Sequence, residues 1–528
     1  MFVLLLSLAA TAQAALYDTV IKTKYGLVQG APALNSTFGS NLPGWENITA
    51  WKGIPYASPP TGENRWRIPR DPEPWDGILN ATSFGDACAF ADAVEDFPQS
   101  EDCLTVNIWT SAESTDEKRP VMVWSYGATT AARMSWYDGG GMASKGVVYV
   151  SYNYRTGPFG WLSLPELSDE MEPFSGVKSS GNWGLLDQIQ ILKWVQENIE
   201  AFGGDPNQVV HAGESFGSAA SYHTLNSPLA KGLMHGVIAE SGIKDPYDPA
   251  TATFANAYYN LSYAYDFSQI YMDSLNVSSV AELRNLTTDE LMTGTGVDAF
   301  YGFAPVMDYW AIPSTYEGSV RWGPQNDVPL IVGNNHDEDG VQLGLNLTES
   351  TYINETETTY GADAAATFLA SFPAQNASSA GDAYNAMQRA IYTTSTWEYC
   401  DKFTSSAQSP VYYYFWTHSP PGQTEGAYHG SEVFYVLNTL YGGELPYTAE
   451  DYAIADYVSS YWANFVKTLN PNIGGSYTNG SLTFWPAYSS TENVQFEIGD
   501  AYGNVEVADQ DVMDAVDEYF HWAMPDPW

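Results

Sequence analysis

The chain has 528 residues and carries 63 Asp and Glu against 20 Lys and Arg, a formal charge of −43. So few cations exclude nucleic acid and anionic lipid as partners, because both demand clustered Lys and Arg to neutralise phosphates. A hydrophobic content of 44%, with 15% aromatic residues, provides for a large buried core and excludes a disordered acidic chain.

The chain opens with MFVLLLSLAATAQA, an apolar run followed by Ala12-Gln13-Ala14. Small residues there are what a signal peptidase reads, so residues 1–14 are expected to be a secretory leader cleaved after Ala14. It carries no charged side chain, and the mature chain keeps the whole −43. An extracellular destination agrees with ten Asn-x-Ser/Thr sequons, at Asn35, Asn47, Asn80, Asn260, Asn276, Asn285, Asn346, Asn354, Asn376 and Asn479, all candidates for glycosylation. No later stretch approaches the roughly 18 apolar residues of a membrane span. Three cysteines allow one intramolecular pair. Cys88 and Cys103 are read as that pair, closing a short loop worth about 3 kcal/mol, and Cys400 as a buried inert thiol.

No repeat or linker divides the sequence, so residues 15–528 are read as one domain. Short β-branched or aromatic runs at Pro120–Tyr126, Gly146–Tyr154, Gln208–Gly213, Val328–Asn334 and Val411–Trp416 suit strands buried on both faces of a mostly parallel sheet. Leu185, Ile189, Leu192, Val195 and Ile199 recur at three- and four-residue intervals before a stop at Gly203. They predict an amphipathic helix. Tyr457, Tyr461, Phe465 and Leu469 predict a second over about 450–469. Strands alternating with helices give an α/β fold, the sheet lying between helical layers.

The strand ending at Gly213 runs into Gly213-Glu214-Ser215-Phe216-Gly217, followed by a helix-forming SAASYHTL. A serine forced onto a sharp strand-to-helix turn needs flanking glycines, and the turn lifts its Oγ above the sheet at a helix N-terminus. A serine hydroxyl becomes nucleophilic when a histidine takes its proton, and that imidazole needs a carboxylate to fix its tautomer. In this fold the order is serine, acid, histidine. The acid belongs just past a strand, which points to Asn335-His336-Asp337-Glu338-Asp339-Gly340. His418 and His429 both follow the strand Val411–Trp416, and the glycines beside His429, Gly426 and Gly430, favour it. His521 also lies beyond the acid; His211, His223 and His235 read as structural.

Several longer motifs carry a resemblance: GIPYASPP (53–60), SEDCLTVNIW (100–109), YNYRTGPFGWL (152–162), GNWGLLDQ (181–188), FGGDPNQV (202–209), GESFG (213–217) and GAYHGSEVFYV (426–436). With them the chain resembles, over essentially its whole mature length, the type-B carboxylesterase/lipase family of cholinesterase-like α/β-hydrolases, in a secreted, fungal-type form. The resemblance implies Ser215 as nucleophile, Glu338 as acid and His429 as base. It implies a Cys88–Cys103 disulfide, an ion pair between Arg155 and Asp187, and a supporting rather than catalytic role for Glu214. Where the family has a glycine-rich loop, this chain has Tyr126-Gly127-Ala128-Thr129, and Phe216 stands where a small alanine is usual. The oxyanion donors are then the backbone N–H groups of Ala128, Thr129 and Phe216, in a more crowded hole.

The expected activity is cofactor-free and metal-free hydrolysis of a small-molecule carboxylic ester through an acyl-enzyme. A triacylglycerol lipase or sterol esterase, and a non-catalytic binding member, are the alternatives. In lipases of the family the loop closed by the first disulfide is an apolar lid. Here it is CAFADAVEDFPQSEDC, short and acidic at Asp92, Glu95, Asp96, Glu101 and Asp102, which disfavours a lipid surface. The aromatic-rich stretch between Gly296 and Gly323 is the other segment able to serve as a lid.

Overall fold

The β-branched and aromatic runs assemble into one eleven-stranded sheet in a computed structural model that describes residues 15–90, 97–250, 258–294 and 302–525. The leader expected at 1–14 lies outside the described residues. In chain order the strands are β1 (Ala31–Pro32), β2 (Thr49–Pro55), β3 (Thr105–Thr110), β4 (Arg119–Ser125), β5 (Val148–Tyr152) and β6 (Gly204–Glu214). They continue with β7 (Gly236–Glu240), β8 (Leu330–Asn335), β9 (Val411–Trp416), β10 (Val494–Ile498) and β11 (Gly503–Glu506). Their order across the sheet is β1-β2-β3-β5-β4-β6-β7-β8-β9-β10-β11. From β5 through β10 every pairing is parallel, and the antiparallel pairs lie at the two edges. The sheet is mostly parallel and flanked by helices, as an α/β-hydrolase requires.

All five runs expected as strands are strands, Val411–Trp416 with the expected bounds and the other four shifted by one to four residues at their ends. Burial explains why they read so plainly: every residue of β5 and β8 is buried, the mark of strands covered on both faces. Trp51, Trp109, Trp124, Trp194, Trp416, Trp462 and Trp485 pack into the central core, each 1% exposed or less.

The first expected helix is α1 (Trp183–Asn198), continued by a 3₁₀ turn that ends at Gly203 with φ +78°. Glycine adopts this left-handed conformation without a Cβ clash, so the stop lies where the sequence placed it. Helix α2 (Phe216–Asn226) follows the serine and packs on β6 and β7. Helix α3 (Ala377–Thr404) runs for 28 residues, and the sequence pattern gave no sign of it. Along it the buried positions include Asn385, Gln388 and Thr393–Thr396, so no clean apolar stripe appears. Helix α4 (Ala449–Thr468) is the second expected helix. A capping box starts it, Thr448 accepting at its first turn while Asp451 reaches back to the Thr448 N–H.

Cys88 and Cys103 form a disulfide with Cα atoms 4.9 Å apart, and Cys400 is buried and unpaired. Residues 91–96 of the loop between the paired cysteines, and the first part of the alternative lid, up to residue 301, lie outside the described residues. The described end of the disulfide loop is anchored. Glu101, one of the acidic residues that disfavour this loop as a lipid lid, is a buried partner of Arg65, with Oε2 2.7 Å from Nε and Oε1 2.5 Å from Nη2. The chain from Leu283 to Leu286 holds the same guanidinium through three carbonyls. This end of the loop is fixed to the body of the fold.

Candidate active site

Strand β6, in the middle of the sheet, delivers Glu214 to its C-terminal end, and the chain reverses at once into α2. Ser215 takes φ +58° and ψ −122°, a conformation that strains any residue with a Cβ. Its N–H donates to the Glu240 carbonyl of β7 at 2.9 Å, which holds the strained turn in place. The flanking glycines are obligatory. A Cβ on Gly217 would lie 2.0 Å from the Ser125 carbonyl oxygen, and one on Gly213 would lie 2.3 Å from that of Gly217.

The acid and the base arrive from the ends of neighbouring strands. Glu338 follows β8, and His429 lies on the loop after β9. Asp337 joins the two loops: its Oδ2 accepts the Ala427 N–H at 2.8 Å and its Oδ1 takes Arg389 at 2.6 Å. His336 and Arg389, helped by the Ala427 N–H, outweigh burial and hold the Asp337 carboxyl down at about 2. A carboxylate so committed leaves its neighbour Glu338 for the imidazole. His429 Nδ1 lies 2.5 Å from Glu338 Oε2, while Glu338 Oε1 accepts the Asn335 N–H at 2.8 Å. Gly426 and Gly430 take φ +76° and +80°, the tight turns on either side of His429 that the sequence suggested.

The two candidate histidines sit in different surroundings. His418 is held between Asp500, 2.6 Å from Nδ1, and Asp451, 3.0 Å from Nε2. His211 is a satisfied core residue between Ser125 and Thr224, each at 2.8 Å, and burial pushes its imidazole down to about 3. His235 accepts the Val209 N–H, and His521 stacks on Tyr247.

The second nitrogen of His429 faces Glu214, with Nε2 3.2 Å from Oε1. Among the described residues the Ser215 hydroxyl has no hydrogen-bond partner, so in the free protein the imidazole sits between two carboxylates. Burial opposes its charge, yet Glu338 and Glu214 push its titration well above the ordinary histidine range. Glu214 shares the field of Glu338, and burial lifts it to about 7. Two further buried carboxyls stand nearby. Glu240 Oε1 accepts the Trp462 indole N–H at 2.7 Å, and Glu432 Oε2 accepts the Asn335 amide at 2.5 Å. Burial raises Glu432 to about 8 and Glu240 well above the usual carboxylate range. Sequence reading missed both. Glu432 falls three residues after His429 within GAYHGSE and was within reach; Glu240 ends an unrecognised strand and gave no signal.

The loop expected to donate to an oxyanion is braced by side chains in place of glycine. Thr130 Oγ1 donates to the Gly127 carbonyl at 2.8 Å, and the Tyr154 hydroxyl donates to the Tyr126 carbonyl at 2.9 Å. Thr129 takes φ +60°, a left-handed conformation unusual for a β-branched residue. The N–H groups of Ala128 and Thr129 have no acceptor among the described residues, and Phe216 opens α2 beside them. The arrangement can therefore offer amide donors to an anionic oxygen next to Ser215. Further back, Arg155 and Asp187 form the expected ion pair, Nε to Oδ2 and Nη2 to Oδ1 both at 2.8 Å, with both groups buried.

Residues 17–511 match the model of the carboxylesterase family. Para-nitrobenzyl esterase of Bacillus subtilis (strain 168) is 31% identical over 491 residues, covering 89% of this chain and 92% of the relative. Fumonisin B1 esterase of Sphingopyxis macrogoltabida is 30% identical, over 84% of this chain and 82% of that protein. A solved structure titled PNB esterase superposes with a TM-score of 0.74 at 27% identity, covering 94% of this chain and 99% of that one. The family match over residues 17–511, with these relatives and this sheet, places the chain in the carboxylesterase family, as a carboxylic-ester hydrolase.

Proposed function

We propose that the protein is a secreted, fungal-type serine carboxylesterase in which residues 15–528 form one catalytic domain and Ser215, His429 and Glu338 form the triad. His429 Nε2 takes the Ser215 proton as Oγ attacks the ester carbonyl. The N–H groups of Ala128, Thr129 and Phe216 hold the oxyanion, and His429 returns the proton to the leaving alcohol. Water then repeats the cycle on the acyl-enzyme. Glu338 orients the ring and stabilises the imidazolium. The observation that carries this reading is the 2.5 Å contact between His429 and Glu338 at the mouth of the strained Ser215 turn.

Secretion and glycosylation rest on the leader and on the sequons, whose ten asparagines are all exposed. The soluble-ester reading over the lipase reading rests on the acidic disulfide loop and its Arg65–Glu101 anchor. The strongly negative charge argues against nucleic acid or anionic lipid as a partner. No described helix is long and apolar enough to cross a membrane. A fluorophosphonate probe tests the triad: covalent mass on the peptide bearing Ser215, lost in Ser215→Ala together with turnover of p-nitrophenyl acetate, is the expected result. Labelling elsewhere with Ser215 intact would refute the assignment, and a chain that takes no label would be the non-catalytic binding member.

A further inference from the structure

Behind the oxyanion loop lies a narrow cavity of about 20 Å³ whose walls include Gly127, Thr129, Phe216, Thr156, Gln188 and His223. Gly127 ties it to the nucleophile, since a methyl group there would lie 3.4 Å from Ser215 Cβ. Three of the wall residues end in polar atoms with no partner. Gln188 Oε1 and Nε2, His223 Nε2 and Thr156 Oγ1 are all buried and unbonded among the described residues. The side chains themselves are 0%, 1% and 8% exposed. His223 Nδ1 is bonded to the Tyr258 hydroxyl at 3.1 Å, so the ring is fixed while its other nitrogen is left unpaired among the described residues.

Buried polar groups without partners are rare in native proteins, because each has given up water for nothing in return. Four such atoms around one cavity next to a catalytic serine ask for a ligand atom. No wall residue supplies a charge. Burial drives the His223 imidazole down to about 3, which leaves it neutral throughout the working range of an esterase. An ionised group entering this space would lose its hydration with no counter-charge to replace it. The volume admits one group about the size of a water molecule.

We propose that this cavity is a neutral polar subsite for the acyl group, taking one uncharged hydroxyl or keto oxygen of the substrate. The acyl side follows from the chemistry of the triad reading, on which the inference rests. His429 must reach the leaving alcohol to protonate it, whereas the cavity is walled by oxyanion-loop residues and by Phe216, not by His429. A hydroxyl there gains donors and acceptors together: the amide of Gln188, the Thr156 hydroxyl, and His223 Nε2 as an N–H donor when Nδ1 accepts from Tyr258. The site would thus favour hydroxy- and oxo-acyl esters over alkyl isosteres, and reject acids carrying a second charge.

The test is kcat/KM of the purified full chain on p-nitrophenyl butyrate, its 3-hydroxybutyrate and 3-oxobutyrate counterparts, and the hemisuccinate as charged control, with active sites counted by fluorophosphonate. The expected result is a preference of about 5- to 30-fold for one of the polar esters over butyrate and discrimination against hemisuccinate. That polar-to-alkyl ratio should fall towards one in His223→Phe and in Thr156→Val. Because the ratio is taken within each variant, loss of total activity does not enter it, and Thr156→Val stands in if His223→Phe fails to fold. Enzyme that labels and turns over but shows a ratio within twofold of one, or variants that keep the parent ratio, would mean the cavity holds only water and would overturn the proposal. Absence of labelling would instead overturn the triad reading, and the subsite with it.

Discussion

Replacing Glu214 by Gln removes a charge 3.2 Å from His429 Nε2 and leaves the shape of the side chain in place. Two unit charges at that distance interact by roughly 5 kcal/mol at an effective dielectric constant of about 20, an upper bound on the effect. Opposite charges this close ordinarily shift a titration by about 1–3 units. Glu214 itself titrates at about 7, so near neutrality it carries only part of a charge, and Glu338 remains bonded to the other ring nitrogen. The expected fall in the His429 titration is therefore about one unit. The sign is fixed: losing an anion destabilises the imidazolium, so the free base persists to lower pH. In Glu214→Gln the acidic limb of kcat/KM, measured on p-nitrophenyl acetate from pH 4 to 9, should move down by about one unit, while Glu214→Asp should move it less. The limb reports a coupled set of groups rather than one residue, so the comparison is between whole profiles. An unmoved limb, or one displaced upward, would refute the idea that Glu214 shares the imidazolium with Glu338.

Ser215→Ala or His429→Ala should each lower kcat by at least about 10⁴-fold, whereas His418→Ala, whose ring is committed to Asp451 and Asp500, should keep most of the activity per folded molecule. Thr129→Gly relieves a left-handed backbone at φ +60°. It should raise the melting temperature and leave turnover of small esters within a few-fold, with bulkier acids better accepted; collapse on every substrate would show that the threonine hydroxyl itself binds the oxyanion. Asp187→Ala strands the buried Arg155 guanidinium and should cost about 3–5 kcal/mol in urea unfolding. Rate against concentration of a sparingly soluble short-chain ester should follow simple saturation, since the disulfide loop is short and acidic and Arg65 holds its Glu101 end; a jump past the solubility limit would favour a lipase.

What the sequence determined by itself was five of the seven strands in the parallel run of the sheet, α1, α4 and the Ser215 turn. These depend on signals within a few consecutive residues: uninterrupted apolar runs, a 3.6-residue period, and glycines on both sides of a serine. It narrowed the base to two histidines and the acid to one short segment, and the family motifs chose among them. The segment around α3 stayed hidden because its buried positions include Thr, Asn and Gln, which look solvent-facing until the fold buries them, and β7 because Val237, Ile238 and Ala239 make too short an apolar run before Glu240, whose carboxylate finds its partner in the distant Trp462. Only the tertiary structure decided what surrounds His429. Glu214, Glu240 and Glu432 come from three separate stretches of chain, and Glu240 and Glu432 read as ordinary surface charges until the fold removes their water. The same holds for Gln188, Thr156 and His223, whose unpaired atoms meet at one cavity. Pairwise burial over such sequence separations leaves no periodic trace, so it could be seen only in the folded chain.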